Sequence, residues 1–149
     1  MPHTYSRIII HLIFSTKDRD PSIDPSLRHR LHAYVAGIVR ESGGEAISVN
    51  GTADHLHALV AIPPSQSVSD LVRLMKSNSS KWFHEAHYLK EFAWQRGFAA
   101  FGVSQSSLVT VASYIATQEE HHRSKTFQEE YLGFLKKHGS SFDERFMWD

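Results

Sequence analysis

The segment His55-Leu56-His57-Ala58-Leu59-Val60-Ala61-Ile62, closed by Pro63-Pro64, decides how this chain is read. Apart from the two histidines its residues are apolar, and the proline pair ends it because proline cannot donate to a strand ladder. Side chains alternate across a strand, so His55 and His57 share one face, roughly 6.5–7 Å apart along the chain. Leu56, Ala58, Val60 and Ile62 fall on the other face and point into a core.

A second strand is read over residues 5–15, where Ile8, Ile10, Leu12 and Phe14 alternate with Arg7, Ile9, His11 and Ile13. The stretch after it, TKDRDPSIDPS, is a polar loop. From Pro25 the period changes: Leu27, Leu31, Tyr34, Val35, Ile38 and Val39 mark an amphipathic helix that Gly43-Gly44 stops. A short strand at 46–50 and a turn at 51–54 lead into the histidine strand. Ser67 or Ser69 caps the next helix, with Val68, Leu71, Val72, Met75, Trp82 and Ala86 on one stripe. Residues 98–104 form a fourth strand. Ser106 or Ser107 then caps a helix reaching about His122, and Thr126 with Glu129 forms a capping box for a last helix ending near His138-Gly139. The order βαββαβ matches an α+β, ferredoxin-like (split βαβ) antiparallel sheet, with two helices on one face and the other face open. Two further helices follow. The chain is read as one domain, 1–149, with a core over 1–104 and the two C-terminal helices over 105–149.

Composition narrows the function. The 149 residues carry 16 Lys+Arg and 16 Asp+Glu, which excludes a uniformly basic DNA coat and a polyacidic tail. There is no cysteine, so disulfides, Cys-ligated zinc and thiol nucleophiles are excluded. Hydrophobic content of 41% excludes a disordered chain. Eleven histidines are the unusual count. No signal peptide is visible and no run approaches the ~20 apolar residues of a membrane span, so a soluble cytoplasmic protein without membrane contact is expected.

Two neutral imidazoles on one strand face can chelate a divalent ion. Tyr114 and Gln118 are four apart on the helix after Ser107 and share a face, and His121 lies a turn further on. A phenol can attack phosphorus and form a covalent ester, but its ordinary pKa of about 10 calls for help. A divalent metal gives that help by polarising the phosphoryl oxygen. Gln118 can complete the metal shell, with His121 as competitor. Asp54 reads equally as support for the His55 imidazole or as a plain turn residue. Arg73, Lys76 and Lys81 form a local basic stripe for phosphate contact, which Lys17 and Arg19 extend. Tyr131 is spaced with Phe127, Phe134 and Leu135 as apolar packing.

Together these stretches resemble one family. ADHLHALVAIPP is similar to the histidine–hydrophobic–histidine (HUH) segment of the single-tyrosine transposases of small bacterial insertion sequences, the IS200-like type. YIATQEEHH resembles their tyrosine helix, IIIHLIFSTKDR their first strand and basic loop, and WQRGFAAFGVS their last strand. The resemblance implies a metal-dependent enzyme that nicks and rejoins single-stranded DNA at hairpins on transposon ends. It implies Tyr114 as nucleophile forming a 5′-phosphotyrosine, and Mg²⁺ or Mn²⁺ held by His55, His57 and Gln118. No nucleotide cofactor is expected. It also implies a homodimer whose tyrosine helices are exchanged between subunits. The alternatives are a domesticated relative that processes palindromes, or a ferredoxin-like nucleic-acid-binding module without chemistry.

Overall fold

Four strands pair in the order β2-β3-β1-β4, all antiparallel. They are β1 (Ile8–Ser15), β2 (Glu45–Gly51), β3 (His55–Ile62) and β4 (Ala99–Gly102), and this computed structural model describes residues 4–118, 125–143, 145 and 147–149. The helices are α1 (Pro25–Glu41), α2 (Val68–Ala86), α3 (Leu108–Ala116) and α4 (Phe127–Lys137). This is the expected ferredoxin-like order, with the histidine strand in the middle of the sheet.

Local chemistry explains the element ends. Asp24 caps α1 by accepting from Ser26 N, and Pro25 occupies the first turn, where its missing N–H costs nothing. Ser67 caps α2 by accepting from Asp70 N, and the Thr126–Glu129 capping box opens α4. α3 is shorter than its periodicity suggests. A 3-10 turn at Gln105–Ser107 precedes it and Thr117 ends it; residues 119–122 of the expected helix lie outside the described residues.

One sheet face carries Leu12, Phe14, Leu56, Ala58, Val60 and Ile62 against α1 and α2, as the alternation requires. The other face is where the structure departs from the open sheet expected. Ile9, Ile13, Leu59 and Phe101 are apolar too, and α3 and α4 lie over them through Ile115, Phe127, Tyr131 and Leu135. An apolar second face and two amphipathic helices bury one another, so His55 and His57 end in the interior rather than on a surface. α3 lies on β2 and β3 of its own chain, and Asn50 Nδ2 donates to Ile115 O at 2.9 Å.

The C-terminal stretch is more than a tail. Main-chain oxygens of Met147, Trp148 and Asp149 accept from Gln95 Nε2, Asp18 N and Arg96 N, while the Trp148 ring packs on Phe127 and Tyr131. It straps α4 to the loops that flank β1 and β4.

The turn that presents His55 depends on Gly51. A Cβ there would collide with the His55 carbonyl oxygen. Gly51→Ala is therefore expected to lose about 3 kcal/mol of stability by forcing the backbones apart, measured by urea denaturation. A loss below about 0.5 kcal/mol, the range of a neutral surface change, would contradict the close approach.

Candidate active site

β3 turns both imidazoles toward α3 and α4, and neighbouring side chains fix their orientation. His55 Nδ1 lies 2.8 Å from Asp54 Oδ1 and 3.0 Å from Thr52 Oγ1. His57 Nδ1 lies 2.8 Å from His11 Nε2. Ile13 pairs with His57 and His11 with Leu59, so His11 is the diagonal neighbour of His57 on the same face. Both Nε2 atoms consequently face the space under the C-terminal helices. The His55 Nε2 sits 3.2 Å from Gln118 Oε1, and the Phe127 ring stacks on the His55 ring with centroids 4.1 Å apart.

Glu130, from α4, completes the cluster. It is buried, and its Oε1 lies 2.8 Å from His57 Nε2 and 3.9 Å from His55 Nε2. Its other oxygen accepts a hydrogen bond from the Tyr114 hydroxyl. Burial, then the carboxylate beside it, pushes the Tyr114 phenol well above its ordinary range, so the hydroxyl is held protonated. Burial also lowers His11 to about 3, with the neighbouring His57 adding to the effect, and His11 is neutral. A neutral His11 can donate to or accept from His57 Nδ1, which lets His57 adopt either tautomer.

These donors suit a divalent ion. One ligand atom each from His55, His57 and Glu130 lies within 4.8 Å of the others. Ligands at about 2.0–2.2 Å from one ion are spaced comparably. The imidazoles are held through their Nδ1 atoms, as metal-binding histidines generally are. Two imidazole nitrogens and a carboxylate oxygen form a set that Mn²⁺ and related ions accept.

Of the residues singled out in the sequence, His55, His57, Tyr114, Gln118 and Asp54 converge here. His121 lies outside the described residues. Tyr131 is buried against Phe127 and Trp148. The basic residues are elsewhere. Arg73 and Lys81 are exposed on α2, which packs on the opposite sheet face, and Arg73 lies 3.6 Å from Asp70. Lys76 is not a free surface cation: its Nζ donates to the carbonyls of Gln95, Arg96 and Gly97, and burial lowers it to about 8. Lys17 is exposed, and the Arg19 guanidinium lies over the Trp148 ring at 5.2 Å. Sequence reasoning missed Glu130 and His11 as members of the cluster. The available signal was a carboxylate placed at helical spacing among Phe127, Tyr131 and Phe134, and a lone histidine inside an apolar strand.

Residues 4–118 match the family described as "Transposase IS200 like". The chain belongs to this family of IS200-like transposases. The matched span contains His55, His57, Tyr114 and Gln118 and stops short of α4, so Glu130 lies beyond the part described by the family pattern. Among relatives, the family member is 26% identical over 116 residues to the ISDra2 transposase TnpA of Deinococcus radiodurans, covering 74% of this chain and 83% of that protein. It is 24% identical over 129 residues to the transposase for insertion sequence element IS200 of Salmonella typhimurium, covering 83% and 84%. Two solved structures share the fold. One is a Deinococcus radiodurans protein assigned as a transposase, at TM-score 0.63 and 20% identity over 79% of this chain and 95% of the other. The second is a REP-associated tyrosine transposase bound to a REP hairpin, at TM-score 0.60 and 18% identity over 82% and 73%.

Proposed function

We propose that this IS200-like transposase cleaves and rejoins single-stranded DNA at hairpins of transposon ends through a 5′-phosphotyrosine on Tyr114. The observation that carries the reading is the Tyr114 hydroxyl brought beside the His55–His57 pair and bonded to Glu130. In cleavage, Tyr114 Oη attacks the scissile phosphorus, the P–O3′ bond breaks, and a free 3′-OH leaves. Rejoining is the reverse attack by a 3′-OH, so the bond energy is retained and no nucleotide cofactor is required. Glu130 holds the Tyr114 hydroxyl in place, and the rings of His57 and Phe134 pack around the phenol. Asp54 and His11 keep the two Nε2 atoms aimed at one point. His55, His57 and Glu130, with Gln118 adjoining, would hold Mg²⁺ or Mn²⁺. A bound ion of this kind polarises the phosphoryl oxygens and stabilises the charge that develops on them.

Arg73 and Lys81 on α2, with Lys17 near β1, are proposed to hold hairpin phosphates, while Lys76 and Arg19 brace the same surface. The likeness to a hairpin-bound tyrosine transposase supports a hairpin ligand. We take the working unit to be a homodimer. A binding module without chemistry is disfavoured, because the sheet presents buried histidines rather than exposed aromatics for base stacking.

The test is incubation with a single-stranded hairpin oligonucleotide and Mn²⁺, followed by a denaturing gel. A protein–DNA adduct that survives denaturation and disappears with chelator is expected. Mn²⁺ at about 100 times its Kd should also stabilise the fold by about 2.7 kcal/mol, read as a rise in melting temperature. An adduct that forms equally in chelator would reject the metal assignment, and binding with no adduct would favour the plain binding module.

A further inference from the structure

His55 and His57 are fully buried, so DNA must reach Tyr114 by another route. A cleft of about 330 Å³ between α3 and α4 opens onto it. Tyr114 and Glu130 line this cleft, together with Gly133 and Lys137 of α4 and with Lys125, which precedes the α4 cap. The volume is at the small end of ligand sites, about 300–1,000 Å³, and suits one strand rather than a duplex. Lys125 and Lys137 are exposed, and neither is paired with an acidic side chain among the described residues. Among the described residues lining the cleft, two cations stand against one carboxylate, Glu130, which makes that lining attractive to a polyanion.

Gly133 is the second observation. Glycine inside a helix costs about 1 kcal/mol relative to alanine. Among the described residues neither packing nor backbone shape explains it, because a Cβ at Gly133 would meet no atom of another part of the chain within 4 Å and its φ is not positive. Its missing side chain leaves the cleft wall bare.

We propose that the α3–α4 cleft is the channel by which a single DNA strand reaches Tyr114. Lys125 and Lys137 hold backbone phosphates beside the scissile one, and Gly133 keeps the passage clear. The proposal rests on the reading of Tyr114 as the nucleophile, and its test separates the two.

The absence of cysteine allows a single thiol to be placed at will. Gly133→Cys puts it in the cleft. Val109→Cys puts it on α3 at a position 77% exposed and outside the cleft. With a single-stranded hairpin oligonucleotide at about ten times its Kd, a thiol reagent should react about tenfold more slowly with Gly133→Cys and at an unchanged rate with Val109→Cys. Lys125→Gln and Lys137→Gln should each lower the slope of log affinity against log salt by about 0.7. Gly133→Leu should melt no lower than the unaltered protein and form at least about tenfold less adduct, a loss of 1.4 kcal/mol or more in transition-state access. Equal thiol reactivity with and without DNA overturns the channel, even where the adduct forms. Protection of the thiol without any adduct supports the channel and rejects Tyr114 as the nucleophile.

Discussion

Tyr114→Phe is expected to remove the covalent protein–DNA product, a loss of at least about 10⁴-fold, while the hairpin still binds. The size follows from chemistry: a phenyl ring has no oxygen with which to attack phosphorus. The fold should survive. The ring keeps its contacts with His57, at a centroid distance of 6.2 Å, and with Phe134, at 5.8 Å. What is lost is the hydrogen bond to Glu130, leaving one carboxylate oxygen without its donor at a cost of about 1–3 kcal/mol. A labelled oligonucleotide on a denaturing gel measures the first effect, and thermal melting the second. Persistence of the adduct would move the nucleophile to another tyrosine. Tyr131 is poorly placed for that role, since it is buried against Phe127 and Trp148.

His57→Ala should be nearly as damaging to activity and worse for stability. Removing this imidazole takes a partner from the buried Glu130 and from His11 together. Losing a partner of a buried polar or charged group costs about 2–4 kcal/mol, with the cavity adding to it. The same change removes one of the proposed metal ligands, so the melting shift with Mn²⁺ should vanish and the adduct should fall by at least about 100-fold. A full Mn²⁺ shift in His57→Ala would show that the ion binds elsewhere. Mixing Tyr114→Phe with His57→Ala addresses the subunits. In the conformation described here Tyr114 sits at the histidines of its own chain, and the mixture should not recover adduct. Recovery would show that the tyrosine helices are exchanged in a dimer.

Much of the sheet could be read directly from period-two alternation. Leu56, Ala58, Val60 and Ile62 against His55 and His57 determine which way β3 faces, and the helical spacing of Tyr114 and Gln118 puts both toward it. Glu130 could not be found this way. In Phe127-Gln128-Glu129-Glu130-Tyr131, two adjacent glutamates look alike, yet Glu129 closes a capping box while Glu130 is buried on a histidine. Only the docking of α4 on the second sheet face separates them. The open face expected for this topology hid that docking, because the residues that call for a cover, Ile9, Ile13 and Phe101, come from two strands distant in the chain. The position of the Lys76 charge was hidden for a related reason. Its long stem reaches back to the carbonyls before β4, so its place on a polar stripe says little about where its charge ends.

The hydrogen-bond series His11–His57–Glu130–Tyr114 joins four secondary-structure elements across sequence separations of 46, 73 and 16 residues. Contacts so distant along the chain form late in folding, after the entropy of closing long loops has been overcome. No segment of the polypeptide that ends before Glu130 carries the assembled centre. On the proposed reading, the cluster that would act on DNA is complete only once α4 has docked.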